Sequence, residues 1–192
     1  MNCGSRNNNP EEIEFWALVA EDYSTHSSIP LNQGFWALFW HRFGNWRMSM
    51  RPRALRLPLS VVYKIMSKLV ELYTGIFLPY TVVVGRRVRL EYFGSMFLVA
   101  RAIGNDVTIR QNTTFGISTD EAVNNRPTIG DRVSIGAGVV IIGNITVDAD
   151  TIIGANAVVT RNQPANVIIG GVPARNIRTR DARPQGDIRS VG

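Results

Sequence analysis

From residue 129 onward aliphatic side chains recur every six positions: Ile129, Ile135, Ile141, Val147, Ile153 and Val159. Glycine follows three of them, and the fifth place of successive hexads is Val133, Val139, Ile145, Thr151 and Ala157, small or β-branched until the sixth hexad breaks the pattern. A period of six fits neither a 3.6-residue helix nor a simple alternating strand. It fits a coil of short flat strands joined by tight turns, in which the first residue of each hexad points into a narrow prism. The intervening Gly, Asn and Asp tolerate the turn geometry. The expected architecture is a parallel β-helix. Upstream, the phase begins at Val84 and Leu90, skips one residue, and resumes at Phe97, Ile103, Ile109 and Phe115. Between Phe115 and Ile129 lies a 14-residue interval filled by the polar stretch ISTDEAVNNRPT. A solenoid accommodates such an insertion as an excursion from its surface, so a protruding loop is expected at 117–127.

Before Thr81 the spacing is helical. Pro10 followed by Glu11, Glu12 and Glu14 suits a helix start, and Phe15, Leu18 and Val19 supply an apolar stripe. Ser24 to Gln33 reads as a loop. Gly34 to Met48 resumes helical spacing, and a third helix over about 58–75 places Val61, Ile65, Leu69 and Leu72 on one face. The expected organisation is a disordered segment 1–9, an α-helical region 10–80, the β-helix over 81–178 with its loop, and a flexible tail 179–192.

Composition narrows the function. The chain has 192 residues, a net charge of +6, two histidines (His26 and His41) and one cysteine, Cys3. A single cysteine excludes an intrachain disulfide framework and points to a reducing, cytoplasmic setting. The apolar region 54–84 is interrupted by Pro58, Lys64, Lys68, Glu71 and Pro79, so no membrane-spanning helix is expected. The arginines of 42–56, next to Trp40, Trp46 and the amphipathic third helix, suit peripheral contact through 40–72 with acidic headgroups at the inner face of a membrane; a solvated connector is the plainer reading. The basic residues lack an aromatic stacking platform, which argues against nucleic acid.

The run IGDRVSIGAGVVIIGNITVDADTIIGANAVVT, closed by GGVPARNI, resembles the hexapeptide-repeat acyltransferases. Within them it is similar to the serine acetyltransferase-like branch, which includes O-acetyltransferases of surface polysaccharides. RLEYFGS (89–95) resembles a site motif of that branch, NRPTIG (125–130) the segment after its loop, and GFWALFWHRFGNW (34–46) its helical region. The resemblance implies a left-handed β-helix, a homotrimer with a cofactor groove between subunits, and acetyl-CoA as acyl donor. Ala137 and Ala155 match small residues beside the pantetheine arm. Thr160, Arg161, Arg175 and Arg178 match positions near the nucleotide end, where guanidinium forks suit phosphates. No metal is implied. The short helical region, and an end at Gly192 rather than isoleucine, favour a sugar hydroxyl of a polysaccharide precursor as acceptor over serine.

Acyl transfer from a thioester to an alcohol needs a base, donors for the tetrahedral oxyanion, and an aligned cofactor. The branch's general base is a histidine where this chain has Tyr92, preceded by an acid retained as Glu91. A second family histidine is replaced by Arg126. A phenol ionises near pH 10, leaving about one part in a thousand as phenolate at neutral pH, although a guanidinium nearby would lower that value. Two functions therefore stand: an O-acetyltransferase in surface polysaccharide biosynthesis with Glu91, Tyr92 and Arg126 in its site, or a catalytically silent trimeric homologue acting as scaffold or regulator. His26 or His41 could supply the base only if the helical region delivered one to the site.

Overall fold

The computed structural model describes residues 6–50, 53–92, 94–116 and 125–179. Three helices precede the coil: α1 (Phe15–Thr25), α2 (Gln33–Trp46) and α3 (Arg53–Thr74). The helix expected from Pro10 begins instead at Phe15. The preceding chain is tied across α2, with the Asn8 amide donating to Asn45 Oδ1 at 3.1 Å and Asn9 Nδ2 to the Arg42 carbonyl at 3.0 Å. Of the segment expected to be disordered, residues 1–5 lie outside the described residues, whereas Asn7, Asn8 and Asn9 are all hydrogen-bonded. The α2 N-terminus is capped by Asn32, whose side chain accepts from the Phe35 amide at 3.1 Å. The third helix starts five residues before the expected Pro58, which lies inside it. At the sixth helical position Pro58 forgoes the i→i−4 bond to the Ala54 carbonyl and its ring crowds that turn.

The coil makes four complete turns of three strands. The first holds β1 (Ile76–Phe77), β2 (Val83–Val84) and β3 (Arg89–Glu91); the second β4 (Met96–Leu98), β5 (Ala102–Ile103) and β6 (Thr108–Arg110). The third holds β7 (Thr114–Gly116), β8 (Thr128–Ile129) and β9 (Ser134–Ile135); the fourth β10 (Val140–Ile142), β11 (Thr146–Val147) and β12 (Ile152–Ile153). Then come β13 (Val158–Val159), β14 (Val167–Gly170) and β15 (Arg175–Thr179). Like strands of successive turns stack in parallel into three faces, β1-β4-β7-β10-β13, β2-β5-β8-β11 and β3-β6-β9-β12-β14; β15 closes the last face antiparallel. This is the mainly β, left-handed parallel β-helix behind an α-helical region that the hexads, the helical spacing and the resemblance together imply.

The inward column reads Leu90, Ile103, Ile109, Phe115, Ile129, Ile135, Ile141, Val147, Ile153 and Val159, each buried. The fifth-place residues Val133, Val139, Ile145, Thr151 and Ala157 are buried too, so each hexad inserts two side chains. One expected position is corrected: Leu98, not Phe97, points inward. Leu98 pairs with Phe115 across the ladder, while Phe97 turns out and stacks on Phe77 at 5.1 Å. A one-residue change of register reverses the face of every side chain. The turns use left-handed backbone at Asp106, Asn112, Arg132, Asp150, Asn156 and Asn166. The expected loop 117–127 falls mostly on residues 117–124, and the tail on 180–192, both outside the described residues.

The helices are fastened to the first turn by a buried ion pair. Arg42, with no solvent exposure, donates through Nε to Asp22 Oδ2 at 2.9 Å, through Nη1 to the Val84 carbonyl at 2.7 Å and through Nη2 to the Gly85 carbonyl at 2.6 Å. Farther along, the Arg47 guanidinium lies over the Tyr63 and Tyr80 rings, 4.5 and 4.8 Å from their centroids, joining α3 to the segment between β1 and β2.

Candidate active site

Where the start of α2 meets the end of β3, a cavity of about 300 Å³ is lined by His26, Asn32–Gly34, Arg89, Glu91 and Tyr92 among others. The approach is close enough to require glycine: a Cβ on Gly34 would collide with the Leu90 carbonyl oxygen and lie 3.0 Å from His26 Nε2. Glu91 sits between two guanidinium groups, 3.1 Å from Arg110 Nε and 3.5 Å from Arg89 Nε. Tyr92 follows it in the left-handed conformation (φ 64°) with its side chain largely in solvent. A bulky side chain at positive φ is uncommon, and here the chain turns the corner from β3 toward β4.

The ladder register places that corner in a column. Glu91 pairs with Arg110, Ile109 with Ile135, and Ile135 with Ile153. Continuing each pairing past the strand end aligns Tyr92, Gln111, Ala137 and Ala155 down one edge of the prism. The Gly138 amide bonds to the Gln111 carbonyl at 2.9 Å, and the Asn156 amide to the Ala137 carbonyl at 2.8 Å. At about 4.8 Å per turn of coil, Ala155 lies roughly 14 Å along the edge from Tyr92. Its methyl is exposed, so the edge is an open track. Arg175 and Arg178 lie on β15 over the face that leads to this edge, both exposed, whereas Thr160 and Arg161 are exposed just after β13 on another face.

Arg126 stands elsewhere. It precedes Pro127, whose carbonyl accepts from the Arg101 amide at 2.8 Å, at the edge leading into β8. The β4-β7-β10 face separates that edge from the Tyr92 edge within one protomer. Its Nε is buried and has no hydrogen-bond partner among the described residues.

The helical region delivers one histidine to the cavity wall, which sequence alone did not indicate. His26 Nε2 accepts from the Leu90 amide at 3.1 Å, and Nδ1 lies 2.8 Å from the Asp22 carbonyl and donates to it. Burial holds its imidazole below the ordinary histidine range. Both nitrogens are engaged, so neutral His26 has no lone pair to offer a substrate; it braces β3 one residue before Glu91. His41 is buried beneath α2, with Nε2 at 3.0 Å donating to the Val82 carbonyl, and burial lowers it to about 3. It does not reach the cavity. Among the described residues no group of three His, Cys, Asp or Glu side chains is placed to hold a metal.

Residues 126–161 match the profile of the bacterial transferase hexapeptide family, six repeats. The coil carries that family's repeat. The chain is 32% identical over 154 residues to a serine acetyltransferase of Mycobacterium tuberculosis, and 34% identical over 119 residues to one of Staphylococcus xylosus. The matches cover 80% and 62% of this chain, which spans 64% and 55% of those two relatives. Among solved structures, the serine acetyltransferase of Neisseria gonorrhoeae superposes with a TM-score of 0.72 at 24% identity, covering 91% of this chain and 70% of that one. The Brucella abortus enzyme in complex with coenzyme A superposes with a TM-score of 0.66 at 21% identity, covering 87% and 67%. Similarity to the hexapeptide-repeat acyltransferases of the serine acetyltransferase-like kind thus holds in sequence and in fold. No helix among the described residues is long and apolar enough to cross a membrane.

Proposed function

We propose that the protein transfers an acetyl group from acetyl-CoA to the hydroxyl of a small acceptor, with serine favoured over the sugar of a polysaccharide precursor. The observation that carries this is the Tyr92–Gln111–Ala137–Ala155 edge. It begins at a cavity beside Tyr92 and, past Gln111, narrows to the small side chains of Ala137 and Ala155 along the prism. The pantetheine arm of the donor lies along Ala137 and Ala155, Arg175 and Arg178 on the adjoining face serve its phosphates, and Thr160 and Arg161 reach them from the edge of a neighbouring protomer. Coenzyme A bound to a relative of the same fold supports this assignment.

The acceptor preference follows from the relatives' names and from the cavity's chemistry. Arg89 and Glu91 present opposite charges within 3.5 Å of each other in about 300 Å³. That suits the carboxylate and ammonium of a free amino acid. Nothing comparable favours a sugar ring. In the reaction the hydroxyl proton must leave as oxygen attacks the thioester carbon, and the tetrahedral intermediate then expels the thiolate. In this reading Tyr92 takes that proton and Glu91 orients the acceptor. Arg126 joins the site from a neighbouring protomer of a homotrimer, whose closed symmetry sets the edges of adjacent prisms side by side. The single cysteine and a CoA donor agree with a cytoplasmic setting.

A specific observation favours a second reading, a silent homologue with a scaffolding or regulatory role. His26 has both ring nitrogens engaged with the backbone, and His41 is buried away from the cavity with Nε2 on the Val82 carbonyl, so neither of the chain's two imidazoles is offered to the site. General-base catalysis contributes about 10²–10⁴-fold, so loss of an imidazole lowers turnover by that order while sparing donor binding. Calorimetric titration with CoA, and thiol release from acetyl-CoA with serine or a sugar, separate the cases. The enzyme reading expects CoA binding, serine-dependent thiol release, a fall on Tyr92→Phe and a gain on Tyr92→His. CoA binding without turnover in both the wild type and Tyr92→His establishes the silent homologue. Turnover unaffected by Tyr92→Phe removes Tyr92 from the mechanism.

A further inference from the structure

Helix α3 is built with its apolar side outward. Its inner flank packs through Tyr63, buried against Tyr80, and Thr74, also buried. Leu55, Val61, Val62, Ile65, Leu69 and Leu72 are each 44–74% exposed, and from Val62 onward they recur every three or four residues along the opposite flank. A helix of 22 residues extends about 33 Å. The stripe is therefore a long apolar ridge lying flat on the protein surface, larger than scattered exposed residues account for.

The charges beside the ridge select its partner. Lys64 and Lys68 stand at its border and are exposed. Lys68 pairs with Glu71 at 2.9 Å, while Lys64 has no acidic partner among the described residues. The same two lysines border an apolar cavity of about 330 Å³ walled by Trp40, Phe77 and Leu78. A seam with three–four spacing would also accept another helix, but helix pairing draws on opposite charges flanking the seam. A second copy would bring its own lysines against these. An anionic lipid surface supplies the missing complement over the whole length of the ridge.

We propose that α3 docks the protein on an anionic lipid surface, with its apolar ridge in the headgroup–acyl boundary and Lys64 and Lys68 among the headgroups. This assignment is independent of the chemistry proposed for the coil. The test is co-sedimentation of the full chain with phosphatidylcholine vesicles, with and without phosphatidylserine, at low and moderate salt. Binding to the phosphatidylserine vesicles that weakens with salt is expected. Lys64→Gln with Lys68→Gln lowers the affinity roughly 30-fold, at about fivefold per lysine near such a surface. Ile65→Ser with Leu69→Ser lowers it about 100-fold, from two apolar side chains no longer buried. These exposed positions should leave the circular dichroism spectrum unchanged, which separates lost binding from lost fold. Three results overturn the proposal: no sedimentation with either vesicle, sedimentation indifferent to both variants, or a wild-type assembly that the Ile65/Leu69 variant splits without any vesicle binding. The last would assign the ridge to self-association.

Discussion

Replacing Arg42 with methionine should undock the helices from the coil, and the cost can be worked from its bonds. The substitution keeps the aliphatic volume but removes three hydrogen bonds. It leaves Asp22, 1% exposed, without its counter-charge, and leaves the Val84 and Gly85 carbonyls without those donors. Removing one partner of a buried pair costs about 3–5 kcal/mol, because the other charge stays buried. The freed carbonyls add to this, less at Gly85, which is only partly buried, so a loss of about 4–6 kcal/mol is expected. That is a large part of the stability of an ordinary domain. The loss should depend on pH. Burial pushes the Asp22 carboxyl above its usual range, with Arg42 pulling it part of the way back. Without Arg42 it rises further, and a raised carboxyl stabilises the folded state below its unfolded value of about 3.8 and loses that contribution as pH rises through the folded value. The gap between wild type and Arg42→Met should therefore narrow on acidification. Urea unfolding followed by circular dichroism at fixed protomer concentration measures it. Adding Asp22→Leu to Arg42→Met should recover half or more of the loss. A cost below about 1 kcal/mol, a pH-independent gap, or no recovery in the double variant would refute the reasoning.

Two further outcomes concern the histidines. His26→Leu leaves the Leu90 amide unsatisfied beside Glu91, costing about 1–3 kcal/mol by urea unfolding, whereas His26→Gln, which retains an acceptor, should cost less. For His41 the folded value is depressed from 6.5 to about 3, so its stabilising contribution is present above pH 6.5 and is lost as pH falls toward 3. Urea midpoints across that window should decline for the wild type, and His41→Gln, which keeps a donor for the Val82 carbonyl, should flatten the decline.

The β-helix was legible because its packing repeats. Each hexad places two side chains in the same environment as the hexad before it, so Ile129 through Val159 and Val133 through Ala157 carry the tertiary contacts in their spacing alone. The order of the three helices was legible in the same way, although their starts were not, because the asparagines at 7–9 and the position of Pro58 act through distant partners or local tolerance. The candidate residues Tyr92, Ala137 and Ala155 could be named from the resemblance, but their alignment down one edge needed the ladder register. Where the period fails, long-range contacts decided. Leu98 rather than Phe97 fills the prism because it stands opposite Phe115. His26 reaches the cavity only because α1 and α2 fold over β3, bringing together residues 64 positions apart. The buried Arg42–Asp22 pair spans 20 positions and left no periodic trace, since arginine in a helix is ordinarily solvated. The α3 pattern announced an apolar face and allowed an outward placement, but did not decide between that and the core. The choice between core and exposed ridge was made by the flank through Tyr63 and Thr74, which packs on the body and leaves the ridge exposed in the protomer.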